Sequence, residues 1–259
     1  MKFLIIGSSG FIGSHLVEHF SQLGHEVICA DIKPLQNNSN KFNLINSDAS
    51  DFSNLFTSNK FDYCINASGS ASVPFSISNP AEDFSLNVSN VYLILHAIKN
   101  LNPQCKFINF SSAAVYGNPI KLPITEDTKL SPISPYGFHK MISEQICYEF
   151  YKLYNIQTIS LRVFSAFGPR LKKQLFWDLH TKLSNGDSTS LFGTGKESRD
   201  FIFIADLCHA VDCVINRSSF KGKAINIASG IETSISDAIK TFVQEYKTKE
   251  TLMFNGDVK

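Results

Sequence analysis

The stretch Lys2-Phe3-Leu4-Ile5-Ile6-Gly7-Ser8-Ser9-Gly10-Phe11-Ile12-Gly13 opens the chain and decides its fold class. A short apolar run with strand character ends in a glycine-punctuated turn, and a helical pattern follows from Phe11. Glycines at these positions let the turn tighten and let backbone approach a pyrophosphate, and the last allows the helix to pack closely on the strand. The helix N-terminus adds unpaired N–H groups and the positive end of a dipole, both suited to an anion. Gly7, Gly10, Phe11, Ile12 and Gly13 are therefore candidate dinucleotide-binding residues. The glycine spacing alone is weak; its place between a strand and a helix gives it weight. The opening also starts like a secretion signal, but the apolar run stops at Gly7 and no small-residue cleavage site follows.

The next candidate strand, Glu26–Asp31, ends on an acid 18 positions after Gly13. That is near the spacing at which a carboxylate reaches the adenosine ribose hydroxyls. A 2′-phosphate would be repelled there, so Asp31 favours NAD over NADP, although Lys33 leaves partial accommodation of a phosphate open.

Outward from this unit, short β-rich runs alternate with longer helical patterns. Strands are expected at Lys2–Ile6, Glu26–Asp31, Phe42–Asn46, Tyr63–Asn66, Lys106–Phe110 and Thr158–Val163. Helices are expected at Phe11–Leu23, Asp51–Thr57, Ala81–Leu101 and Tyr136–Tyr154. Such alternation predicts an α/β fold, a Rossmann-type doubly wound parallel sheet with helices on both faces. After Phe167 the pattern loosens into a helix at Leu175–Asn185, a piece at Thr189–Phe192 and a helix at Ala205–Asn216. A strand at Ala224–Ile227 and a helix at Ser234–Tyr246 follow. The expected division is a NAD-binding domain over 1–167 and a small C-terminal substrate-binding cap over 168–259, interleaved with the first rather than independent.

The 259 residues carry a formal net charge of +1, which excludes the strong basic footprint of a nucleic-acid binder. No run approaches the roughly 20 apolar residues of a membrane helix. Six scattered cysteines lack metal-ligand spacing. Cys208-His209 with Cys213 invites a zinc reading, but both thiols fit a helix face, so no metal is expected. Free buried thiols in a reducing cytoplasm are the expectation.

Chemistry points to Tyr136-Gly-Phe-His-Lys140. Positions i and i+4 share a helix face, so phenol and ammonium can enter one cleft. A tyrosine with a pKa of about 10 is a poor base, and a nearby lysine together with an oxidised nicotinamide would favour its phenolate. Upstream, the strand ending in Ser111-Ser112 reaches the sheet edge where ligands bind. Ser112, Tyr136 and Lys140 thus form a candidate proton-transfer set for a carbinol beside a nicotinamide. His15, His139 and His209 read as structural or surface histidines, with His139 facing away from the cleft. The aromatics Tyr148, Phe150, Tyr151 and Tyr154 read mostly as core.

With these landmarks the sequence resembles the extended short-chain dehydrogenase/reductases, the NAD-dependent epimerase/dehydratase family. The resemblance runs from Met1 to at least Ile227, through Gly7–Gly13, Asp48-Ala49, Asn66–Gly69, Asn79-Pro80, Asn87-Val88, Ser111–Gly117 and Ser134-Pro135-Tyr136. It continues through Leu161-Arg162, Phe167–Arg170, Arg199-Asp200-Phe201 and Asn226-Ile227. The resemblance implies that Asp48 and Ala49 lie beside the adenine, and that Ala67, Ser68 and Gly69 line the cofactor groove with Ser111. It further implies that Lys140 touches the nicotinamide ribose, that Arg199 meets a substrate diphosphate, and that Asn87 and Ser165 belong to the substrate site.

Relatives that eliminate water from the sugar carry Asp-Glu after the strand-end serine or threonine, and here Ala113-Ala114 stands there. The arrangement looks more like nucleotide-sugar 4-epimerases, which implies 4-epimerisation of a UDP-sugar with NAD. A nucleotide-4-ketosugar reductase using NAD(P)H, or a non-catalytic dinucleotide-binding protein, are the alternatives. Ser165 stands where many relatives have asparagine, and relatives usually continue past the equivalent of Lys259, which leaves a naturally short member and a shortened form as the alternatives. A homodimer pairing through the Tyr136 helix and Ala81–Leu101 is also implied, within a setting of polysaccharide biosynthesis.

Overall fold

A computed structural model describes residues 1–34, 41–45, 51–185, 190–191, 193–246 and 253–256. The expected adenine residues Asp48 and Ala49, the strand end Asn46, and both ends of Thr189–Phe192 lie outside the described residues.

The chain divides into two compact units, Met1–Val163 with Cys208–Ile227, and Phe164–Leu207 with Ala228–Lys259. In the first unit the order is β1 (Lys2–Ile6), α1 (Phe11–Gln22), β2 (Glu26–Asp31), β3 (Phe42–Leu44), α2 (Ser53–Thr57), β4 (Tyr63–Asn66), α3 (Val73–Ser78) and α4 (Pro80–Phe84). A π-helical turn, Ser85–Ser89, joins α4 to α5 (Asn90–Leu101). Then come β5 (Lys106–Ser112), a 3-10 turn at Ala113–Tyr116, α6 (Pro135–Tyr154) and β6 (Thr158–Val163). The second unit holds β7 (Ser165–Phe167), α7 (Gln174–Asn185), β8 (Ser190–Leu191) and β9 (Ser198–Phe203). Helix α8 (Ile204–Arg217) begins there and ends in the first unit, which also contains β10 (Lys223–Ile227). β11 (Glu232–Ser234), α9 (Ile235–Tyr246) and β12 (Met253–Phe254) complete the second.

The first unit is built on a seven-stranded sheet in the order β10-β6-β5-β4-β1-β2-β3, with every pairing parallel. The order reverses between β1 and β4, so the turns after these strands flank the switch point at which such sheets bind ligands. The inner strands β1, β2, β4, β5 and β6 are buried on both faces, as a covered parallel sheet requires, while the edge strands β3 and β10 are partly exposed. Leu4 and Ile6 point into a core with Ile28, Phe56, Ile94, Leu95, Phe107 and Phe150. On the other face Phe3 stacks on Phe20 of α1 at 4.4 Å and on Tyr63 at 5.4 Å between ring centres.

Helix α6 starts one residue before its expected position. Ser134 caps it by accepting from the Gly137 N–H at 3.2 Å, and Pro135 supplies the first-turn proline. It ends at Asn155 in the left-handed region, φ +56°. The single helix expected over Ala81–Leu101 is instead α4, the π turn and α5 in succession.

The second unit has a mixed sheet, β11-β9-β7, with β11 antiparallel and β7 parallel to β9, and a two-stranded pair β12-β8. Leu179 of α7, Leu191 of β8 and Ile239 of α9 form its core, with Phe176, Phe242 and Phe254 packed around them. None of β7, β9, β11 and β12 is expected from sequence. Five of the six cysteines are buried, while Cys213 is exposed, and none forms a disulfide.

Candidate active site

The glycine turn after β1 is held by backbone contacts that tolerate no side chain. Gly7 has φ +81°, and a Cβ there would come within 2.6 Å of the Ala67 carbonyl carbon and the Ser68 nitrogen. A Cβ on Gly13 would stand 2.0 Å from the Gly7 carbonyl oxygen, so only glycine lets α1 approach the turn this closely. Helix α1 begins at Gly10 with no side-chain cap and no acid in its first turn. Its first N–H groups therefore remain available to an anion.

Asp31 closes the neighbouring edge. One carboxylate oxygen accepts from the Ser9 N–H in the glycine turn at 2.8 Å, and the other accepts from the Ile32 N–H at 2.7 Å. A carboxylate offers about four acceptor positions, so these bonds orient Asp31 and leave capacity for a hydroxyl donor. The Ser9 hydroxyl donates to the Lys33 carbonyl at 2.6 Å, tying the turn to the segment after β2.

Beyond β4, Ala67, Ser68 and Gly69 form the opposite wall. Ser68 donates to Asn66 Oδ1 through its hydroxyl at 2.6 Å and its N–H at 3.2 Å. Gly69 has φ +105°, and a Cβ on it would lie 2.5 Å from Asn87 Oδ1. Asn87 sits in the π turn at 1% exposure, and neither polar atom of its side chain has a hydrogen-bond partner among the described residues.

The expected proton-transfer residues come together at the end of β5. The Ser112 side chain is close enough to the Tyr136 phenol to lower its pKa by hydrogen bonding, and its hydroxyl accepts from the Ala114 N–H at 3.2 Å as the cap of the 3-10 turn. Lys140, one helical turn on from Tyr136, is buried, and its Nζ donates to the Phe110 carbonyl at 2.8 Å. The Lys140 nitrogen lies 5.9 Å from the centre of the Tyr136 ring. Gly137 is what admits this packing, since a Cβ there would meet the Ala114 carbonyl oxygen at 2.7 Å.

Burial pushes the Tyr136 phenol above its ordinary pKa, the Ser112 hydrogen bond lowers it, and the Asp83 carboxylate raises it further. Burial also lowers Lys140 to about 8, against the upward pull of Asp83, Glu144 and Cys147. The sequence expectation that Lys140 favours the phenolate is met by a different arrangement: the stabilising contact on the phenol is Ser112, while the Lys140 ammonium is bound to backbone.

Ser111 points elsewhere. Its hydroxyl donates to Glu144 Oε1 at 2.5 Å, and Glu144 also takes two hydrogen bonds from Arg162, at 2.9 and 2.7 Å. Arg162 in turn donates to the Tyr116 hydroxyl at 2.8 Å, and Tyr116 donates to Asn226 at 2.7 Å. This buried network joins β5, α6, β6 and β10 and escapes sequence reading, because its members lie far apart in the chain. His139 is a structural histidine: its Nδ1 is 2.6 Å from Asp83 Oδ2 of α4, and its side chain is 12% exposed. The Asp83 partner itself is not signalled by the sequence. His15 and His209 do lie on helices α1 and α8, His15 bonded to its own helix at the Phe11 carbonyl. Of the aromatics on α6, Phe150 is core, whereas Tyr148 and Tyr154 are exposed.

Ser165 and Arg199 belong to the second unit, on adjacent strands. Ser165 of β7 is paired in register with Phe201 of β9, and Arg199 of β9 is exposed, donating to the Ser198 carbonyl at 2.7 Å. Asp200 beside it accepts from the N–H groups of Ser229 and Gly230, both at 2.7 Å.

A parallel sheet of this order, with a Ser–Tyr–Lys set at the end of β5, is the architecture of the extended short-chain dehydrogenase/reductases. The chain belongs to the NAD dependent epimerase/dehydratase family, whose profile matches residues 3–228. A putative UDP-glucose 4-epimerase of Methanocaldococcus jannaschii is 29% identical over 246 residues, covering 90% of this chain and 79% of that protein. Among solved structures, the Bacillus cereus UDP-glucuronic acid 4-epimerase in complex with UDP-glucuronic acid and NAD is 27% identical. It matches with a TM-score of 0.89 over 100% of this chain and 87% of that one. The Thermotoga maritima UDP-glucose 4-epimerase with UDP-glucose shares the fold at a TM-score of 0.92 and 24% identity, over 100% and 87% of the two chains.

Proposed function

We propose that this chain is an NAD-dependent nucleotide-sugar 4-epimerase acting on a UDP-sugar through a 4-keto intermediate. The observation that carries the reading is the buried Tyr136 phenol, hydrogen-bonded to Ser112 and one helical turn from Lys140, at the carboxyl end of β5. The glycine turn fits NAD: its backbone excludes any Cβ at Gly7 and Gly13, and α1 presents an uncapped N-terminus. Gly10, Phe11 and Ile12 would hold the pyrophosphate, Asp31 the ribose hydroxyls, and Ala67, Ser68 and Gly69 the groove wall. Ser111 would contribute through its backbone, its hydroxyl being bound to Glu144. Bound NAD would supply the hydride acceptor and return the hydride to the other face of the sugar.

In this reading Tyr136 Oη takes the proton of the sugar 4-hydroxyl and later gives it back. Ser112 donates to the same oxygens, and Lys140 orients the nicotinamide ribose. Asn87, with both polar atoms free of partners among the described residues, would bind the sugar, and Ser165 and Arg199 the diphosphate. A homodimer through α5 and α6 goes with this reading, supported by the exposure of Tyr92, Tyr148 and Leu153 on those helices.

Incubation with UDP-, dTDP- and GDP-sugars plus NAD tests the proposal by product separation. Interconversion of two 4-epimers without net NADH change is the expected result. A 4-ketosugar reductase is the second reading, favoured by the burial that keeps Tyr136 protonated, as a proton donor to a ketone requires. Steady NADH consumption with a 4-keto substrate would establish it instead.

A further inference from the structure

Helix α4 brings a carboxylate to the tyrosine turn. Asp83 is 0% exposed, the deepest acid at the site, and among the described residues only one of its oxygens has a hydrogen-bond partner, His139. His139 is held from a second side by the ring of Phe84, edge-on at 5.3 Å. A buried carboxylate with an unpartnered oxygen is costly, so its retention calls for an explanation other than packing. His139 lies at i+3 and Lys140 at i+4 from Tyr136, so α6 presents all three residues along one flank, and α4 packs on that helix.

We propose that Asp83, fixed by His139, is a positioning residue for Tyr136, its buried negative charge biasing the phenol towards its protonated, donor form. It acts through field rather than contact with substrate. A second negative charge on the phenol is disfavoured beside a carboxylate in a poorly solvated site. Burial sets the phenol above its ordinary pKa first, Ser112 pulls it down, and Asp83 opposes Ser112.

Competing charges have other engagements. Glu82 of α4 is exposed, and α3 and the π turn bring no titratable side chain to α6. On α6 itself, the Lys140 ammonium lies 5.9 Å from the Tyr136 ring centre, is bound to the Phe110 carbonyl, and is acted on by Asp83 first and then by Glu144 and Cys147, while Glu144 is bound to Arg162 of β6. Tyr116 of the 3-10 turn is bound to Arg162 and Asn226. From α5, Lys99 lies over Tyr154, and Tyr92 contacts His96 and Phe150, all towards the far end of α6. Lys106 of β5 reaches Tyr63, and Lys223 of β10 follows Gly222, whose neighbours are Tyr148 and Tyr151.

The test is an ultraviolet titration of the phenolate in the NAD-loaded protein, with the Tyr136→Phe protein subtracted so that only Tyr136 is read. Asp83→Asn removes the charge at constant shape, and the midpoint is expected to fall by roughly one pH unit, a tenfold change in the phenolate equilibrium. His139→Gln, which still donates to a charged Asp83, is expected to keep the midpoint while lowering Tm. Asp83→Ser, smaller and still able to meet His139, serves if Asp83→Asn does not fold, with the same expectation. A folded Asp83 variant whose midpoint stays in place overturns the proposal, and so does failure of both Asp83 variants to fold, which would assign the pair to stability alone. The titration needs no sugar nucleotide, so its outcome is separate from that of the epimerase reading.

Discussion

Lys140 is buried with its ammonium on the Phe110 carbonyl, and burial lowers its pKa to about 8 from 10.5. Below pH 8 both folded and unfolded chains carry the proton, and the burial cost is felt in full. Between 8 and 10.5 the unfolded chain binds more protons, so this group's contribution to stability improves as pH rises. Urea denaturation of Lys140→Met against wild type should therefore show a difference in unfolding free energy that drifts in favour of wild type across that window. The drift should total about 3 kcal/mol. The buried Cys64 and Cys105, both raised by burial, act in the opposite direction above their unfolded pKa, but they are common to both proteins and cancel, whereas Cys147, which Lys140 itself pulls down, adds to the difference. Tyr136→Phe is expected to cut turnover by about 10²–10⁴-fold at unchanged fold, measured as kcat with the active sugar nucleotide. At Gly13 the 2.0 Å approach to the Gly7 carbonyl leaves no room even for a methyl group. Gly13→Ala should abolish NAD binding, as followed by calorimetry.

At the scale of elements, the Glu144–Arg162 pair ties α6 to β6 and positions the strand end that carries Ser111 and Ser112. Removing one partner leaves a buried charge uncompensated, so Arg162→Met should cost about 3–5 kcal/mol in chemical denaturation. Such ties are the part of the molecule that sequence conceals. Periodicity alone reveals β1, β2, β4 and β6, because strands covered on both faces are unbroken apolar runs such as Phe3-Leu4-Ile5-Ile6. Tyr136, Ser112 and Lys140 are legible because two share a helix face and the third ends a strand. The partnership of Asp83 with His139 is invisible, since it is made across two helices. Strand β9 is missed for a related reason: Ser198-Arg199-Asp200 begins it with polar residues, and their strand pairing comes from β7 and β11. The π turn is missed because Ser85–Ser89 keeps a helical pattern while its hydrogen bonding changes.

For the molecule as a whole, ligand and assembly are the measurable quantities. NAD present at a hundredfold its Kd should stabilise the protein by about 2.7 kcal/mol, seen as a rise in Tm. NADP at the same concentration should do less, because Asp31 stands at the end of β2 where the 2′-phosphate would fall. Light scattering should give a mass of twice 28.8 kDa if α5 and α6 pair between copies. Replacing Tyr148, 52% exposed, by lysine should then halve it.

The π turn at Ser85–Ser89 has a consequence for how this helix tolerates changes in length. A widened turn of this kind carries an extra residue relative to an α-helix, and each residue advances an α-helix by about 100°. The wider i→i+5 turn takes up that extra residue, so Asp83, which meets His139, and the α5 face that packs against Phe150 through Tyr92 stay in step along one axis. Deleting a single residue there should leave an unbroken helix of ordinary geometry with both contacts to α6 still in place, whereas deleting one residue from α5 beyond the turn would rotate its packing face by about 100°.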